Sequence, residues 1–274
     1  MFRKFVLALT FLPSFSSAGV AATPDIGTTV AVKNEVMLES GPNEQPLSVG
    51  AAVHQDEIII TRAGASAEVE LLDKTKLAVG SDARIVLDKF VYNASTPAGS
   101  ISVNLSKGAF RFITGIAAKK SYEIKTPTAS LGVRGTVFDV YVANNGETAV
   151  LLHHGAVELC NLAGICRLQD GVGAILFVSE NGVISTYSRC GHSFIHTIGL
   201  ETAFPFIGKT LKVDPVRRMS VRDFECLPAD QPPVITTQGP PPPSPPSPPQ
   251  FIGPVFVGGL ILGLPILENH PASP

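Results

Sequence analysis

Cysteine and histidine side chains in the second half of the chain are the residues whose types could bind a metal ion. Cys190 and His192 stand close together, His196 follows four residues later, and His153 and His154 are adjacent. Zinc sites combine such ligands, but a cysteine held in a disulfide offers no thiolate. Adjacent histidines in a strand point to opposite faces and do not easily share one ion. The sequence therefore favours no metal and no other cofactor.

The segment Ala203–Thr210 matches a relaxed phosphate-loop pattern because it ends in Gly-Lys-Thr. A phosphate cradle needs a glycine-rich loop whose amides point inward, between a strand and a helix. Here Phe204, Pro205 and Phe206 occupy the middle of the loop, so we treat the match as coincidence. The chain also lacks Gly-x-Ser-x-Gly and His-Glu-x-x-His spacings. We therefore expect a protein that is not an enzyme.

One arginine stands in a conspicuous glycine-bounded setting. Gly132 and Gly135 bracket Val133-Arg134, which predicts a tight corner between two β-layers. The fixed donors of Arg134 could bind strand-end carbonyls or a carboxylate, so we expect a structural pin. A ligand-facing or partner-facing role for Arg134 is the alternative. The residues that we expect to define the fold here are Thr126, Pro127, Gly132, Arg134, Gly135, Thr136 and Phe138.

Composition narrows the class of partner. Charged residues are 16% of the 274-residue chain and the formal net charge is -2. Proteins that bind nucleic acid present a basic face, which this composition does not supply. We therefore expect no nucleic-acid partner.

The four cysteines predict disulfides in an oxidising compartment. Cys160 and Cys166 flank a five-residue turn between two alternating runs, so a tight hairpin would place them opposite each other. Three pairings are possible, and we favour Cys160–Cys166, which leaves Cys190–Cys226. Thiol redox chemistry is the alternative, although there is no Cys-x-x-Cys spacing.

Short alternating runs dominate the chain between Thr28 and about Val183. Ala67, Val69 and Leu71, for example, alternate with Glu68 and Glu70. This period of two, broken by turn residues, predicts an all-β domain whose strands have one buried face. Asp214-Pro215 followed by spaced apolar residues predicts one short helix near the C-terminal end of the β-rich region.

The run from Thr126 to Val140, with its Gly-Val-Arg-Gly-Thr centre, resembles the FecR domain of bacterial envelope proteins. The similarity extends over about residues 47 to 142 and includes Gly50, Ile60-Thr61-Arg62 and the stretch from Leu77 to Leu87. The resemblance implies an extracytoplasmic β-solenoid-like roll, best known as the periplasmic half of an iron-linked sigma-factor regulator.

The sequence departs from that regulator in two places. A signal-like stretch precedes the domain where the regulator has an anti-sigma segment and a membrane helix, so we do not expect a direct sigma-factor role. The family tends to have Asp-Gly at a hairpin tip where this chain has Asp73-Lys74. That second departure concerns only the geometry of the turn.

The two ends of the chain have compositions of their own. Arg3-Lys4, an apolar run and Val20-Ala21-Ala22 resemble a cleavable signal peptide, which predicts a periplasmic protein. Residues 239–249 form a Pro-rich spacer, and Phe251–Leu267 is uncharged but broken by Gly and Pro. Three roles for that stretch stay open: membrane association, docking to a partner or to the protein's own β-body, and a mobile tail. The expected organisation is a signal peptide at 1–22, a FecR-like domain at 28–142, a β-rich extension at 143–227, a disordered Pro-rich linker at 228–250 and an apolar tail at 251–274.

Together these features predict a non-catalytic, exported binding or signal-transfer module that recognises another protein of the cell envelope. The alternative is a structural envelope protein anchored by a membrane-associated tail.

Overall fold

The computed structural model describes residues 23–93, 96–117, 122–187 and 199–224, and for residues 96–98, 134 and 221 it describes the backbone only. All of these residues belong to the first of two compact units, which comprises residues 1–231. The predicted signal peptide, the Pro-rich linker, the apolar tail, Cys190, His192, His196 and Cys226 lie outside the described residues.

The described chain is almost entirely β-structure, as the alternating pattern predicts. Fifteen strands precede a single turn of α-helix, α1 (Leu200–Ala203), and a 3-10 turn at Val221–Phe224. The strands are β1 (Asp25–Lys33), β2 (Val36–Ser40), β3 (Asn43–Pro46), β4 (Ala52–His54), β5 (Ile58–Thr61), β6 (Ser66–Leu71), β7 (Lys76–Val79), β8 (Arg84–Asn93), β9 (Thr96–Ile113), β10 (Tyr122–Lys125), β11 (Ala129–Val142), β12 (Thr148–Asn161), β13 (Cys166–Gln169), β14 (Ile175–Val178) and β15 (Ile184–Tyr187).

Hydrogen bonds join all the described strands into one sheet system. Its main path runs β15-β14-β12-β11-β10-β9-β7-β6-β1-β4, with β2, β3, β5, β8 and β13 attached at its sides. Among the described strands, β9 and β10 pair in parallel and the other pairs are antiparallel. The all-β prediction is therefore confirmed. The finer expectation of a β-solenoid or β-roll is not confirmed.

The main core lies on one face of the sheet and is built by the alternation that the sequence shows. Val69, Ile85, Phe112, Phe138 and Leu152 are all 4% exposed or less and belong to one apolar cluster. Phe112 and Phe138 lie opposite each other on β9 and β11, with ring centroids 5.5 Å apart. Burial of such large side chains stabilises the fold by about 1.5–3 kcal/mol each.

The predicted corner at Gly132–Gly135 is wrong, because β11 runs without a break from Ala129 to Val142. The strand residues in the main core are Leu131 and Val133 before Gly135 but Phe138 and Val140 after it, so the alternation changes phase. A β-bulge between Arg134 and Val137 supplies the extra residue that keeps both halves facing one core. Gly135 has φ 61° at the bulge, whereas the backbone of Gly132 is not in the left-handed region.

Residues 199–224 lie over the opposite face of the sheet, and we call them the covering segment. Its Ala203, Phe204 and Ile207 form a second apolar cluster with side chains of β12 and β14. The helix predicted from Asp214 is replaced by a 3-10 turn that begins later, at Val221, because the carboxylate of Asp214 binds Arg111 and Arg218 rather than capping a helix. The segment gives β9, β11 and β12 a second buried face.

The Asp73-Lys74 turn keeps its geometry without a glycine. Lys74 adopts φ 69°, a conformation that glycine favours. Asp73 is fully buried there and accepts hydrogen bonds from Thr75 and from Tyr122 Oη, the latter at 2.7 Å. Burial and the Asp73 carboxylate raise the pKa of Tyr122.

The predicted Cys160–Cys166 disulfide is confirmed. The two cysteines are paired neighbours in the β12–β13 hairpin, as the alternation around them predicts. The expected pairing of Cys190 with Cys226, and the expected boundaries between domain, extension and linker, stay predictions.

Candidate functional site

A buried ion pair lies beneath the covering segment. Arg111 on β9 and Asp139 on β11 are paired residues of neighbouring strands, so their side chains leave the sheet on the same face. Arg111 donates from Nε to Asp139 Oδ1 at 2.6 Å and from Nη2 to Asp139 Oδ2 at 2.9 Å. The side chains are 0% and 1% exposed. Such a two-bond arrangement fixes both groups in one orientation.

A bulge in β12 brings a histidine to this pair. Val137 pairs with His154 and Phe138 with Leu152, so His153 is the extra residue between them. Its Nε2 lies 3.0 Å from Asp139 Oδ2 and 3.0 Å from Arg111 Nη2. Nε2 can donate to the carboxylate when protonated or accept from the arginine when not, so its role depends on the tautomer. His154 is exposed, so the two histidines do not share a site.

The covering segment supplies the remaining charges. Asp214 Oδ2 lies 3.5 Å from Arg111 Nη1, and Arg218 donates to both oxygens of Asp214 at 2.8 and 3.2 Å. The Arg111 guanidinium also lies over the Phe206 ring, 5.8 Å from its centroid. We call Arg111, Asp139, His153, Asp214 and Arg218 the ionic cluster. It joins the sheet to a segment that begins about forty residues after β12 ends.

Burial and charge act in opposite directions on Asp139. Burial raises the pKa of the carboxyl group, but the nearby His153 and Arg111 outweigh it and hold the pKa below its ordinary value. The two arginines and two aspartates balance in formal charge, which a buried cluster requires. Among the described residues, His153 Nδ1 has no hydrogen-bond partner, and Arg111 Nη1 has only its ion contact with Asp214.

A cleft opens beside the covering segment. It has a volume of about 410 Å³ and lies between α1, the end of β11 and the residues that follow β7. Asp82, Tyr141 and Glu201 are among its lining residues. The covering segment therefore excludes solvent at the Arg111–Asp139 pair but leaves an open cleft near α1.

The sequence-predicted signature residues spread along β11 and do not meet at one site. Thr126 closes the turn before β11 by accepting from the amide of Ala129 at 3.0 Å, and Pro127 contributes to the same turn. The amide of Thr136 donates to the hydroxyl of Thr114 at 2.8 Å, and the carbonyl of Thr136 accepts from the amide of Thr114 at 3.1 Å. Phe138 is in the core, Gly132 is exposed, and the side chain of Arg134 is not described. Their roles in defining the fold stay predictions.

The buried arginine is therefore Arg111, which the sequence analysis did not select. A signal for it exists, because Arg111 stands between Phe110 and Phe112, and Asp139 between Phe138 and Val140. A charge on each of two apolar strands indicates a covered second face with a buried pair. Among the described residues, no group of three or more His, Cys, Asp or Glu side chains is arranged to hold a metal ion.

Comparison with known proteins identifies the domain that carries most of this site. The model of the FecR protein family matches residues 57–158, which include Arg111, Asp139 and His153. No curated protein sequence matches the chain. The described residues contain no helix long and apolar enough to span a membrane.

Two solved structures are similar in part. Both are of a candidate anti-sigma factor from Parabacteroides distasonis ATCC 8503. The first, at 1.65 Å, has a TM-score of 0.39 and 17% identity over 48% of this chain and 59% of its own. The second, at 2.50 Å, has a TM-score of 0.40 and 17% identity over 55% of this chain and 75% of its own.

Proposed function

Because residues 57–158 are a FecR domain, we propose that this protein is a non-catalytic signal-transfer module of the bacterial envelope. It is exported to the periplasm and binds another envelope protein through the strand edges and loops of its rigid β-body. The family match supports the signalling class. The proposal of export rests on the signal-like N-terminal stretch, Arg3-Lys4 to Ala22.

The observation that carries the proposal is the ion contact between Arg111 and Asp214. Arg111 lies inside the FecR domain and Asp214 lies in the covering segment beyond it, 3.5 Å away. Removing one partner of a buried ion pair costs about 3–5 kcal/mol, because the other charge stays buried. Docking of the covering segment is therefore coupled in free energy to the state of the FecR domain. A protein that binds the domain changes how often the segment is docked.

The mechanism needs two arrangements of one element. When the covering segment is docked, Asp214 neutralises Arg111 and Phe204 is fully buried in the second apolar cluster. When it is undocked, the sheet exposes that apolar face with Arg111, Asp139 and His153 at its centre. A partner bound at the strand edges and loops shifts the equilibrium by its differential affinity for the two arrangements.

The test measures partner binding when this link is broken. Wild-type protein, Asp214→Asn and Asp170→Asn are expressed in native cells and cross-linked in the periplasm, and the cross-linked envelope proteins are identified. Asp170 is exposed, so it provides the matched control. We expect one stoichiometric partner, bound equally by wild type and Asp170→Asn and with affinity changed at least about tenfold by Asp214→Asn.

Two results would contradict the proposal. One is a protein that binds no envelope protein in any variant. The other is turnover of a small molecule that a single side-chain change abolishes, which would indicate an enzyme.

The uncharged stretch Phe251–Leu267 favours a second candidate, a structural protein that the tail anchors in the envelope. Cell fractionation separates the two candidates. Full-length protein in washed membranes, with a version ending at Asp230 in the soluble periplasm, would support the anchor. Both versions in the soluble fraction would support the signal-transfer module.

A further inference from the structure

The β12–β13 hairpin carries its disulfide on the face that points away from the core. Cys160 and Cys166 are paired neighbours, and Leu159, the residue before Cys160, is fully buried in the main core. Because successive side chains of a strand point to opposite faces, the two sulfurs leave the hairpin on its outer face. Cys160 is half-buried, but Cys166 is exposed, as is every residue from 162 to 168. The Cys166 end of the bridge is therefore open to solvent.

The turn of the hairpin is held by Asn161 as well as by the bridge. The backbone amide of Asn161 donates to the carbonyl of Ile165 at 2.9 Å, and its side-chain oxygen accepts from the amides of Ala163 and Ile165 at 3.1 and 2.9 Å. The side-chain amide of Asn161 also donates to the carbonyl of Gly182 at 2.7 Å, which ties this turn to the turn before β15. These hydrogen bonds do not involve the sulfurs, so the hairpin keeps its turn when the bridge is opened.

The same hydrogen bonds set the spacing of the two cysteines. Asn161 and Ile165 form a hydrogen-bonded pair, so the next pair, Cys160 with Cys166, is of the other kind, in which facing side chains lie closest. Two thiols at these positions stay opposite each other and can rejoin. The bridge spans a sequence separation of only 6, so it stabilises the β-body less than a long-range bridge would. Both oxidation states are thus compatible with one fold.

Access favours Cys166 as the sulfur that a thiolate attacks. A thiolate approaches a disulfide sulfur from the side opposite the bond that breaks. For Cys160 that side lies over Ser130, its pairing neighbour on β11. For Cys166 it lies beyond β13, which among the described strands pairs with β12 alone. The approach to Cys166 is therefore the open one, and access is one of the factors that set the rate of exchange.

We propose that Cys160–Cys166 is a thiol–disulfide exchange site that takes a dithiol as its co-reactant. A thiolate of the dithiol attacks Cys166 Sγ and forms a new S–S bond there, while the Cys160–Cys166 bond breaks and its electron pair leaves on Cys160. The second thiolate of the dithiol then attacks its own sulfur in the mixed disulfide and releases Cys166. The dithiol is oxidised to a disulfide and the hairpin is reduced by two electrons. The two protons that the dithiol gives up to solvent are balanced by the two that the cysteine thiolates take up.

The experiment follows reduction of the native full-length protein by dithiothreitol over a range of concentrations. Samples are quenched and alkylated, and the peptides that contain Cys160 and Cys166 are quantified by mass spectrometry, while circular dichroism reports whether the β-body stays folded. The matched control is Ile85→Ala. Ile85 is buried in the main core on β8, which pairs with β5 and β9 and not with the hairpin. Its truncation therefore makes unfolding more frequent without altering the site.

We expect the rate of reduction to rise in proportion to the dithiothreitol concentration, with an unchanged circular dichroism spectrum and with wild type and Ile85→Ala agreeing within about twofold. Two outcomes would overturn the proposal: a rate that levels off at high dithiothreitol, and a rate that is at least about tenfold higher in Ile85→Ala. Either one means that the bridge opens only through unfolding. If Ile85→Ala does not fold, Ile85→Val replaces it, and the concentration dependence of the wild type remains decisive.

A second arm identifies the attacked sulfur and the source of the dithiol. A thioredoxin whose second active-site cysteine is replaced by serine cannot complete the second step, so it stays attached to the sulfur that it attacked. Peptide mapping then shows which cysteine holds it. Attachment at Cys166 supports the proposal for protein dithiols, and direct reduction by dithiothreitol without attachment restricts the site to small dithiols. Attachment at Cys160 would contradict the assigned path of attack.

Discussion

Arg111 is a fully buried arginine in a strand whose neighbouring residues are aromatic. The sequence drew attention to Arg134 because two glycines bracket it, but glycine spacing reports backbone geometry rather than burial of the residue between. A cation is informative where apolar residues flank it on a strand, since both faces of that strand are then covered. The partner Asp139 could be inferred by the same reasoning, whereas Asp214 could not, because it lies in a segment without strand periodicity.

The ionic cluster predicts a large cost for Arg111→Met. Methionine fills similar space but leaves Asp139 and Asp214 without their cation, so we expect a loss of about 3–5 kcal/mol in the free energy of unfolding. Urea denaturation followed by circular dichroism measures it. The control is Arg62→Met, because Arg62 is 55% exposed and its ion contacts are 3.6 and 3.7 Å long, so its loss should be below about 1 kcal/mol. Equal losses in the two variants would show that the buried cluster contributes nothing of its own.

Asp139 also predicts how stability depends on pH. Its folded pKa is below the ordinary value of 3.8, so the folded state favours the ionised form. The resulting stability is present above pH 3.8 and is lost as the pH falls through the folded pKa. Asp139→Asn should therefore unfold with a shallower pH dependence below about pH 4 than wild type does, measured by denaturation at a series of pH values. An identical slope would mean that Asp139 has the same pKa in the folded and unfolded states.

Among the elements, β11 shows that a sequence can reveal a change in alternation without showing which backbone geometry causes it. The phase change between Val133 and Phe138 is visible in the alternation, and both a corner and a bulge would account for it. Pairing with β12 on both sides of Gly135 makes it a bulge. Gly155 lies opposite with φ 82°, and a Cβ there would stand 2.5 Å from the carbonyl oxygen of Gly135. Only the partner strand shows that the chain continues as one strand through the bulge.

The hairpin β12–β13 is the element that the sequence predicted in most detail. Its disulfide closes a short loop, so replacing Cys160 and Cys166 by serine should lower the free energy of unfolding by about 2 kcal/mol. The predicted Cys190–Cys226 bridge closes a longer loop, and its double serine variant should cost about 4 kcal/mol. Denaturation of both variants, with thiol titration of the unfolded chains, measures the costs. Free thiols at Cys190 and Cys226 in the wild type would refute the second pairing.

At the scale of the whole molecule, one strand connects most of the sheet. β9 pairs with β7, β8, β10 and β11 and therefore joins these four strands in one sheet. An all-β body with one core followed from the alternation alone. The covering of the second face could not be predicted from the alternation. It depends on contacts between residues that are far apart in the chain, such as Arg111 and Asp214.

This connectivity predicts that the β-body unfolds as one unit. Calorimetry of the oxidised protein should show a single transition whose van't Hoff and calorimetric enthalpies agree. Asp214→Asn should shift that transition to lower temperature without splitting it, because the covering segment packs on strands of the same sheet. A separate early transition in the wild type would instead make the covering segment an independent unit.

Asp214 lies later in the chain than the sheet residues of the ionic cluster, so its ion contacts form last. A chain made from its N-terminus presents Arg111, Asp139 and His153 well before Asp214 and Phe204 exist. During that interval the second face of the sheet is bare and its arginine has one carboxylate instead of two. The newly made protein is thus most exposed to misassembly just before its last described residues emerge.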